Sequence, residues 1–335
     1  MSNSIKFAVI GAGRIGVVHA SSVSKIPGAT LEYVVDPIKE SADKLASQFG
    51  CKAAYDAEAI IKSGEVDAVI IGSPTPTHVP LLSTAIDQGI HALCEKPIDL
   101  DIKNVDELRQ KANSAKTHIS IGFNRRFDPE YNTAKKKVSE GVIGEIEQVI
   151  IISRDPAPAP QAYIHVSGGI FRDMTIHDFD MARFFVPDIV EVSALGTNSF
   201  CDYIKEENDF DNVTVTMRGA KNELITIVNS RHASFGYDQR IEVFGEKGML
   251  QTDNITPSTV KLSNSEVTSS TDAYLQFFIE RYSLAYQYEL EAFIRGIQDG
   301  KQYGSTYDDG RAALILADAA VESSRTGKAV KVNLN

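Results

Sequence analysis

Cysteine is scarce in this chain. Cys51, Cys94 and Cys201 are its only three in 335 residues, an odd number set far apart. They form no metal-ligand cluster and fit a reducing compartment. Positive charge is also in deficit, with 34 Lys and Arg against 45 Asp and Glu and a net charge of −11. An acidic surface argues against nucleic acid and anionic membranes as partners, while leaving room for a small basic pocket. No apolar run reaches the length of a membrane span. The opening residues, MSNSIKF, lead straight into a strand pattern, which predicts no secretory leader. Internal repeats, heptads and low-complexity tails are missing as well. These absences predict a soluble, cytoplasmic protein. What remains is an ordinary globular mixture, 43% apolar and 24% charged. The length suits two domains better than one.

The most informative stretch is the first fifty residues. Ile5–Ile10 (IKFAVI) reads as a buried strand and runs into GAGRIG. A helical pattern over 15–26 follows, then a second strand, LEYVV, ending at Asp36. Gly11 permits the tight turn out of the strand. Gly13 removes a side chain where a pyrophosphate approaches the backbone, and Gly16 lets the helix lie close to the sheet. The helix N-terminus offers amides and a positive dipole end to phosphates. Asp36 is placed to accept hydrogen bonds from a ribose, a little beyond the usual spacing of about 20 residues from the turn. A carboxylate there repels a 2′-phosphate, which predicts NAD over NADP. A glycine turn with no phosphate is the competing reading.

Strand and helix patterns then alternate to HISI at 118–121, which demands a parallel sheet covered on both faces. VDAVII at 66–71 opens into GSPTPTH, a proline-stiffened loop at the carboxyl end of a strand, where such sheets bind ligands. Cofactor contacts are therefore expected from Gly11, Gly13, Arg14, Ile15, Gly16 and Asp36, from Ser73, Thr75 and His78 in that loop, and from Glu95 and Lys96. The second half changes character. Helices are predicted over 129–139, 170–185, 272–298 and 309–324. Strands are predicted over 145–153, 191–195, 211–217, 223–229 and 239–244, with a further hairpin over 258–269. GAKN at 219–222 and GEKG at 245–248 read as hairpin turns. The expected class is α/β: a Rossmann doubly wound parallel sheet over 1–122, and an α+β domain with an open, largely antiparallel sheet over 123–335. The uncovered face of that sheet predicts packing between subunits.

Two places can carry chemistry. In GGIFRDMTIHDFDMARFF, a continuous helix puts Asp173, His177 and Asp180 on one stripe. A carboxylate one turn from an imidazole can fix its tautomer and prepare it as a general base. A histidine satisfied in a core network, or a metal site on the same three residues, are the alternatives; no metal is expected. Lys96 ends a buried strand beside the nicotinamide position, where an ammonium can stabilise charge on a reacting oxygen; a snorkelling surface lysine is the alternative. The expected reaction passes hydride from a secondary alcohol to NAD, with His177 as base, Asp173 orienting it and Lys96 holding the oxygen. Arg125, His165, Asn229, Tyr237 and Gln239 are candidate polar contacts for a substrate with many hydroxyls. The aromatic run from Tyr274 to Phe293 reads as a core stripe, or in part as a substrate lid through Tyr282 or Tyr286.

GAGRIG, EKP at 95–97, GFNRRFD at 122–128, SRDP at 153–156, SGGIFRDMTIHDFDMARF at 167–184 and GYDQRIEVFGEKG at 236–248 together resemble the glucose-fructose oxidoreductase and inositol dehydrogenase (Gfo/Idh/MocA) family over nearly the full length. The helix motif is most similar to the inositol 2-dehydrogenase branch. The resemblance implies a Rossmann domain and an open-sheet domain, and a homodimer or homotetramer formed through that sheet. It places the catalytic lysine at Lys96, the carboxylate and histidine at Asp173 and His177, the NAD-selecting acid at Asp36, and a substrate tyrosine at Tyr237. It implies oxidation of a cyclitol, myo-inositol to scyllo-inosose. His232 and Asn124 depart from that branch and bear on the preferred epimer. Other sugar or polyol dehydrogenases, a non-catalytic NAD-linked sensor, and a lyase or hydrolase using NAD transiently are the competing functions.

Overall fold

The computed structural model describes residues 4–335. Residues 1–3, on which the expectation about a leader partly rests, lie outside the described residues. The chain divides into two compact units. One runs to Phe127 and takes up Leu284–Leu314; the other comprises Asp128–Ser283 and Ile315–Asn335. Among the described residues no helix is long and apolar enough to cross a membrane.

The first unit is built on six strands: β1 (Ile5–Ile10), β2 (Ala29–Val35), β3 (Lys52–Ala54), β4 (Ala68–Ile71), β5 (His91–Glu95) and β6 (Ile119–Gly122). They are all parallel, in the order β3-β2-β1-β4-β5-β6. The order reverses between β1 and β4, which opens a crevice at the carboxyl ends of those strands. Strands buried on both faces explain the unbroken apolar runs AVII at 68–71 and ALC at 92–94. Phe7, Val9 and Ile70 share one core cluster with Leu290, Phe293 and Ile294 of the helix Ser283–Asp299. That late helix therefore covers a sheet formed some two hundred residues earlier in the chain.

His91 and His118 sit at the amino ends of β5 and β6, where the His118 backbone amide donates to His91 Nδ1 at 2.8 Å. Burial, and then the neighbouring His91, lower the His118 pKa to about 4, and burial lowers His91 too. Both rings favour the neutral form more strongly in the fold than in the unfolded chain, where a histidine titrates near 6.5. The unfolded chain thus binds more protons between those values. The contribution to stability is complete above about pH 6.5 and is lost as pH falls through about 4. With His118 partly exposed, we expect it to contribute ~1–2 kcal/mol after screening. Urea unfolding at several pH values checks this: His118→Asn should flatten the slope of stability between pH 6.5 and 4, and an unchanged slope contradicts it.

The second unit holds a seven-stranded mixed sheet: β7 (Ile146–Arg154), β8 (Ile189–Thr197), β9 (Asn212–Gly219), β10 (Leu224–Ser230), β11 (Asp238–Gly245), β12 (Gly248–Gln251) and β13 (Val330–Lys331). The order is β12-β11-β7-β10-β9-β8-β13, with only β7 and β10 parallel. Alternation sets the two faces. Val149, Ile151 and Ser153 of β7 and Ile225, Ile227 and Asn229 of β10 point into the core, on the side of the helix Thr175–Phe185. The opposite face carries the cross-strand row Leu224, Gln148, Phe244, Met249. Leu224, Phe244 and Met249 are exposed there, as is Leu195 on β8.

Besides the helix predicted over 170–185, two expected elements differ. The helix predicted over 272–298 exists only as Phe278–Arg281 and Ser283–Asp299. Residues 274–275 are held extended: the Tyr274 amide donates to Phe235 O, the Leu275 amide to Ile255 O, and Leu275 O accepts from Tyr237. Backbone groups engaged in this way cannot also close a helical turn. The hairpin predicted over 258–269 reduces to a single bridge between Leu262 and Ser270.

Candidate active site

The glycine turn is shaped by close contacts inside the first unit. Gly11 has φ +100°, and a Cβ on it would lie 2.6 Å from Gly72 O. A Cβ on Gly16 would collide with Gly11 O. Gly13 differs: it caps the helix Arg14–Lys25 with no side-chain hydrogen bond, and a Cβ there would meet nothing within 4 Å. The helix start is thus left without a side-chain cap or first-turn acid, facing open space, which fits a pyrophosphate. Asp36 closes the turn. Its Oδ2 accepts from the Ala12 amide and its Oδ1 from the Ile38 amide, both at 2.8 Å. Each oxygen retains a lone pair for ribose hydroxyls, so the residues present fit a dinucleotide.

The loops after β4 and β5 lie beside that turn. Ser73 Oγ and Thr77 Oγ1 are 2.6 Å apart, and Thr75 opens the short helical turn Thr75–Thr77. His78 is buried, with Nδ1 2.8 Å from Pro97 O and Nε2 2.8 Å from Ser73 O. It ties the Ser73 loop to the segment carrying Lys96. Glu95 is buried at the end of β5, its Oε1 2.7 Å from His19 Nε2 and its Oε2 accepting from the Lys96 amide at 3.3 Å. Lys96 is half-buried. Arg125 is buried in the turn Asn124–Phe127.

In the second unit the helix predicted over 170–185 is two helices, Ile170–Asp173 and Thr175–Phe185, parted at Met174. Asp173 ends the first and His177 lies in the first turn of the second. The Asp173 carboxylate accepts from Tyr163 OH at 2.8 Å and from Arg231 Nη1 at 3.4 Å. Arg231 is 1% exposed and also donates to Asp209 at 3.2 Å. A buried guanidinium shared by two carboxylates compensates charge that would otherwise be costly to bury. His177 is half-buried. Its neighbours in sequence fix the helix to the sheet: Asp178 accepts from Ser153 Oγ and Asn229 Nδ2, each at 2.7 Å, and Thr175 Oγ1 donates to Asn229 Oδ1 at 2.6 Å. All four side chains are buried. A fully satisfied polar network of this kind specifies one orientation for the helix that carries His177.

The remaining sequence candidates scatter. His165 is exposed and meets Glu207 at 2.8 Å, on a cleft of about 340 Å³ that Gly168, Arg172 and Asp209 also line. Tyr237 is buried, its ring edge-on to Tyr282 with centroids 6.0 Å apart. Gln239 is buried with Tyr282 OH 3.5 Å from its Oε1. Asn229 belongs to the Asp178 network. Sequence reasoning missed Arg231, Tyr163, Asp209 and His19. Arg231 directly precedes His232 and carries no motif of its own. His19 had only one signal, a polar ring on the apolar stripe of the first helix.

Residues 5–123 match the NAD-binding Rossmann-fold domain of the GFO/IDH/MocA oxidoreductase family, and residues 131–251 match the family's C-terminal domain. The chain is 42% identical to the inositol 2-dehydrogenase of Rhizobium meliloti over 96% of its own length and 97% of that protein. It superposes with a TM-score of 0.96 on a myo-inositol dehydrogenase crystal structure from Corynebacterium glutamicum, at 51% identity, covering 98% of this chain and 99% of that one. A scyllo-inositol dehydrogenase from Lactobacillus casei with bound NAD(H) and scyllo-inositol gives 0.90 at 30% identity, covering 98% and 99%. With the glycine turn, the acid at 36 and the two-unit fold in place, the chain belongs to the GFO/IDH/MocA family of NAD-dependent oxidoreductases.

Proposed function

We propose that this enzyme oxidises a secondary hydroxyl of a cyclitol with NAD⁺, and that its substrate is myo-inositol, giving scyllo-inosose. The observation that carries this reading is the likeness to an inositol 2-dehydrogenase along 96% of the chain. Residues 1–122 do the cofactor work and 123–335 the substrate work. The turn Gly11, Gly13, Arg14, Ile15 and Gly16 would hold the pyrophosphate and Asp36 the ribose hydroxyls. Ser73, Thr75, His78, Glu95 and Lys96 complete the cofactor side. Bound there, NAD⁺ supplies the acceptor for hydride leaving the carbinol carbon. His177 takes the hydroxyl proton as the C–H pair departs and the carbon becomes a carbonyl. Lys96 donates a hydrogen bond to that oxygen and stabilises its negative charge. Asp173, braced by Tyr163 and Arg231, supports His177 as it becomes charged. Arg125, His165 and Tyr237 are assigned to the other hydroxyls, where directional polar contacts are needed to tell epimers apart.

The test is NADH formation by purified protein across inositol isomers, D-glucose and D-xylose, repeated with NADP. Rapid turnover of myo-inositol with NAD, and little with NADP, is the expected result. A preference for scyllo-inositol moves the epimer, an aldose preference removes the cyclitol assignment, and equal use of NADP removes the role given to Asp36.

The exposed face bearing Leu195, Phe244 and Met249 is proposed to be covered by the same surface of another copy, in a homodimer or homotetramer. Open apolar sheet faces of this kind mark subunit contacts. Sedimentation velocity should show an oligomer for the native chain and a smaller species for Phe244→Glu; a native monomer contradicts it. The three free thiols fit a reducing, cytoplasmic setting.

A further inference from the structure

The helix that starts at the glycine turn reaches the catalytic lysine through its own buried face. His19 lies on that helix, wholly buried, and its Nε2 is 2.7 Å from Glu95 Oε1. A carboxylate only accepts, so Nε2 carries the proton. The ring's Nδ1 has no hydrogen-bond partner among the described residues. Its single polar tie is therefore to Glu95, while the Tyr286 ring sits edge-on to it at 5.7 Å and fixes its plane. Glu95 in turn packs against Gly122 of β6. A Cβ on Gly122 would lie 3.0 Å from the carboxyl carbon and from Oε2, so a larger residue there would press on this pose. The second oxygen accepts from the Lys96 amide. On the other side of Lys96, the Pro97 carbonyl is held by His78.

Stability alone gives no reason for this pair. A buried ion-paired or hydrogen-bonded carboxylate repays little more than its own desolvation, and apolar residues of equal volume usually serve a core at least as well. What His19 and Glu95 do supply is a fixed direction for the backbone from which Lys96 projects. We propose that His19 is a positioning residue for Lys96, acting through Glu95. The proposal rests on the reading of Lys96 as the group that binds the reacting oxygen. It couples the cofactor-binding helix to the lysine. A displacement of about 1 Å in such a group costs on the order of 100-fold in turnover.

The test is a double-mutant cycle on the full-length enzyme, with kcat, KM for myo-inositol and the NAD dissociation constant measured together. His19→Leu should lower kcat about 100-fold with the NAD dissociation constant unchanged. His19→Gln, which keeps an N–H donor, should recover most of that loss. In a Lys96→Ala background, His19→Leu should lower kcat no further, because the group it positions is gone. Should His19→Leu fail to fold, Glu95→Gln keeps the side-chain volume and carries the same cycle. Wild-type kcat in His19→Leu overturns the proposal and leaves the reading of Lys96 standing. So do losses in His19→Leu and Lys96→Ala that simply multiply. Unchanged kcat in Lys96→Ala removes the reading of Lys96, and this proposal with it.

Discussion

Alanine in place of His177 should lower kcat by roughly 10²–10⁴ while NAD binds as before. The size follows from the proposed role: a positioned base removes a proton that water removes poorly, and that contribution is lost whole when the imidazole goes. The residues proposed to hold the cofactor all lie in the first unit, whereas His177 belongs to the second, so on that proposal NAD affinity has no reason to change. The fold has little reason to change either. The helix is held by Asp178, Ser153, Asn229 and Thr175, none of which the substitution replaces. Steady-state kinetics, a nucleotide titration and a thermal melt separate these outcomes. Added imidazole should restore part of the rate, since it replaces the missing base in the space left by the side chain. Wild-type turnover in the variant would make His177 a structural residue and move the base elsewhere.

The first unit was legible in the sequence because its signals are local. Each strand is a short apolar run, and the glycine turn and Asp36 stand at fixed offsets from two of them. The helix Ser283–Asp299 shows the limit. Its apolar stripe, with Leu290 and Phe293, announces burial but says nothing of which surface it covers, and that surface proved to be the β1 side of the first sheet. The segment 272–277 looked helical by composition and is held extended by partners at 235–237 and 255, a competition that no window of neighbouring residues reveals. Sequence spacing puts Asp173 and His177 on one stripe of one helix; a break at Met174 separates them, and the partners that hold Asp173 come from positions 163 and 231. Residue type marked the candidates. Long-range contacts decided which of them are braced, and the partners of His19 and Arg231 are given only by those contacts.

Lys96→Ala should cost roughly 10²–10³ in kcat, again with NAD affinity retained. In the role proposed for it, the lysine holds a cation against an oxygen whose charge grows as its proton leaves, so its contribution would be larger in the transition state than in the bound alcohol. KM for the cyclitol should therefore move much less than kcat. Lys96→Arg is not a mild change at this place. The guanidinium is wider and planar, and the segment that carries it is pinned on both sides by Glu95 and by His78 through Pro97. It should remain well below the native rate despite keeping the charge, because placement and charge are both required. With substrate deuterated at the reacting carbon, the alanine variant should show a larger isotope effect than the native enzyme wherever product release limits the latter. A variant that loses affinity for NAD but keeps its chemical step would assign Lys96 to the cofactor alone, and the stabilisation of the oxygen would then have to come from another donor.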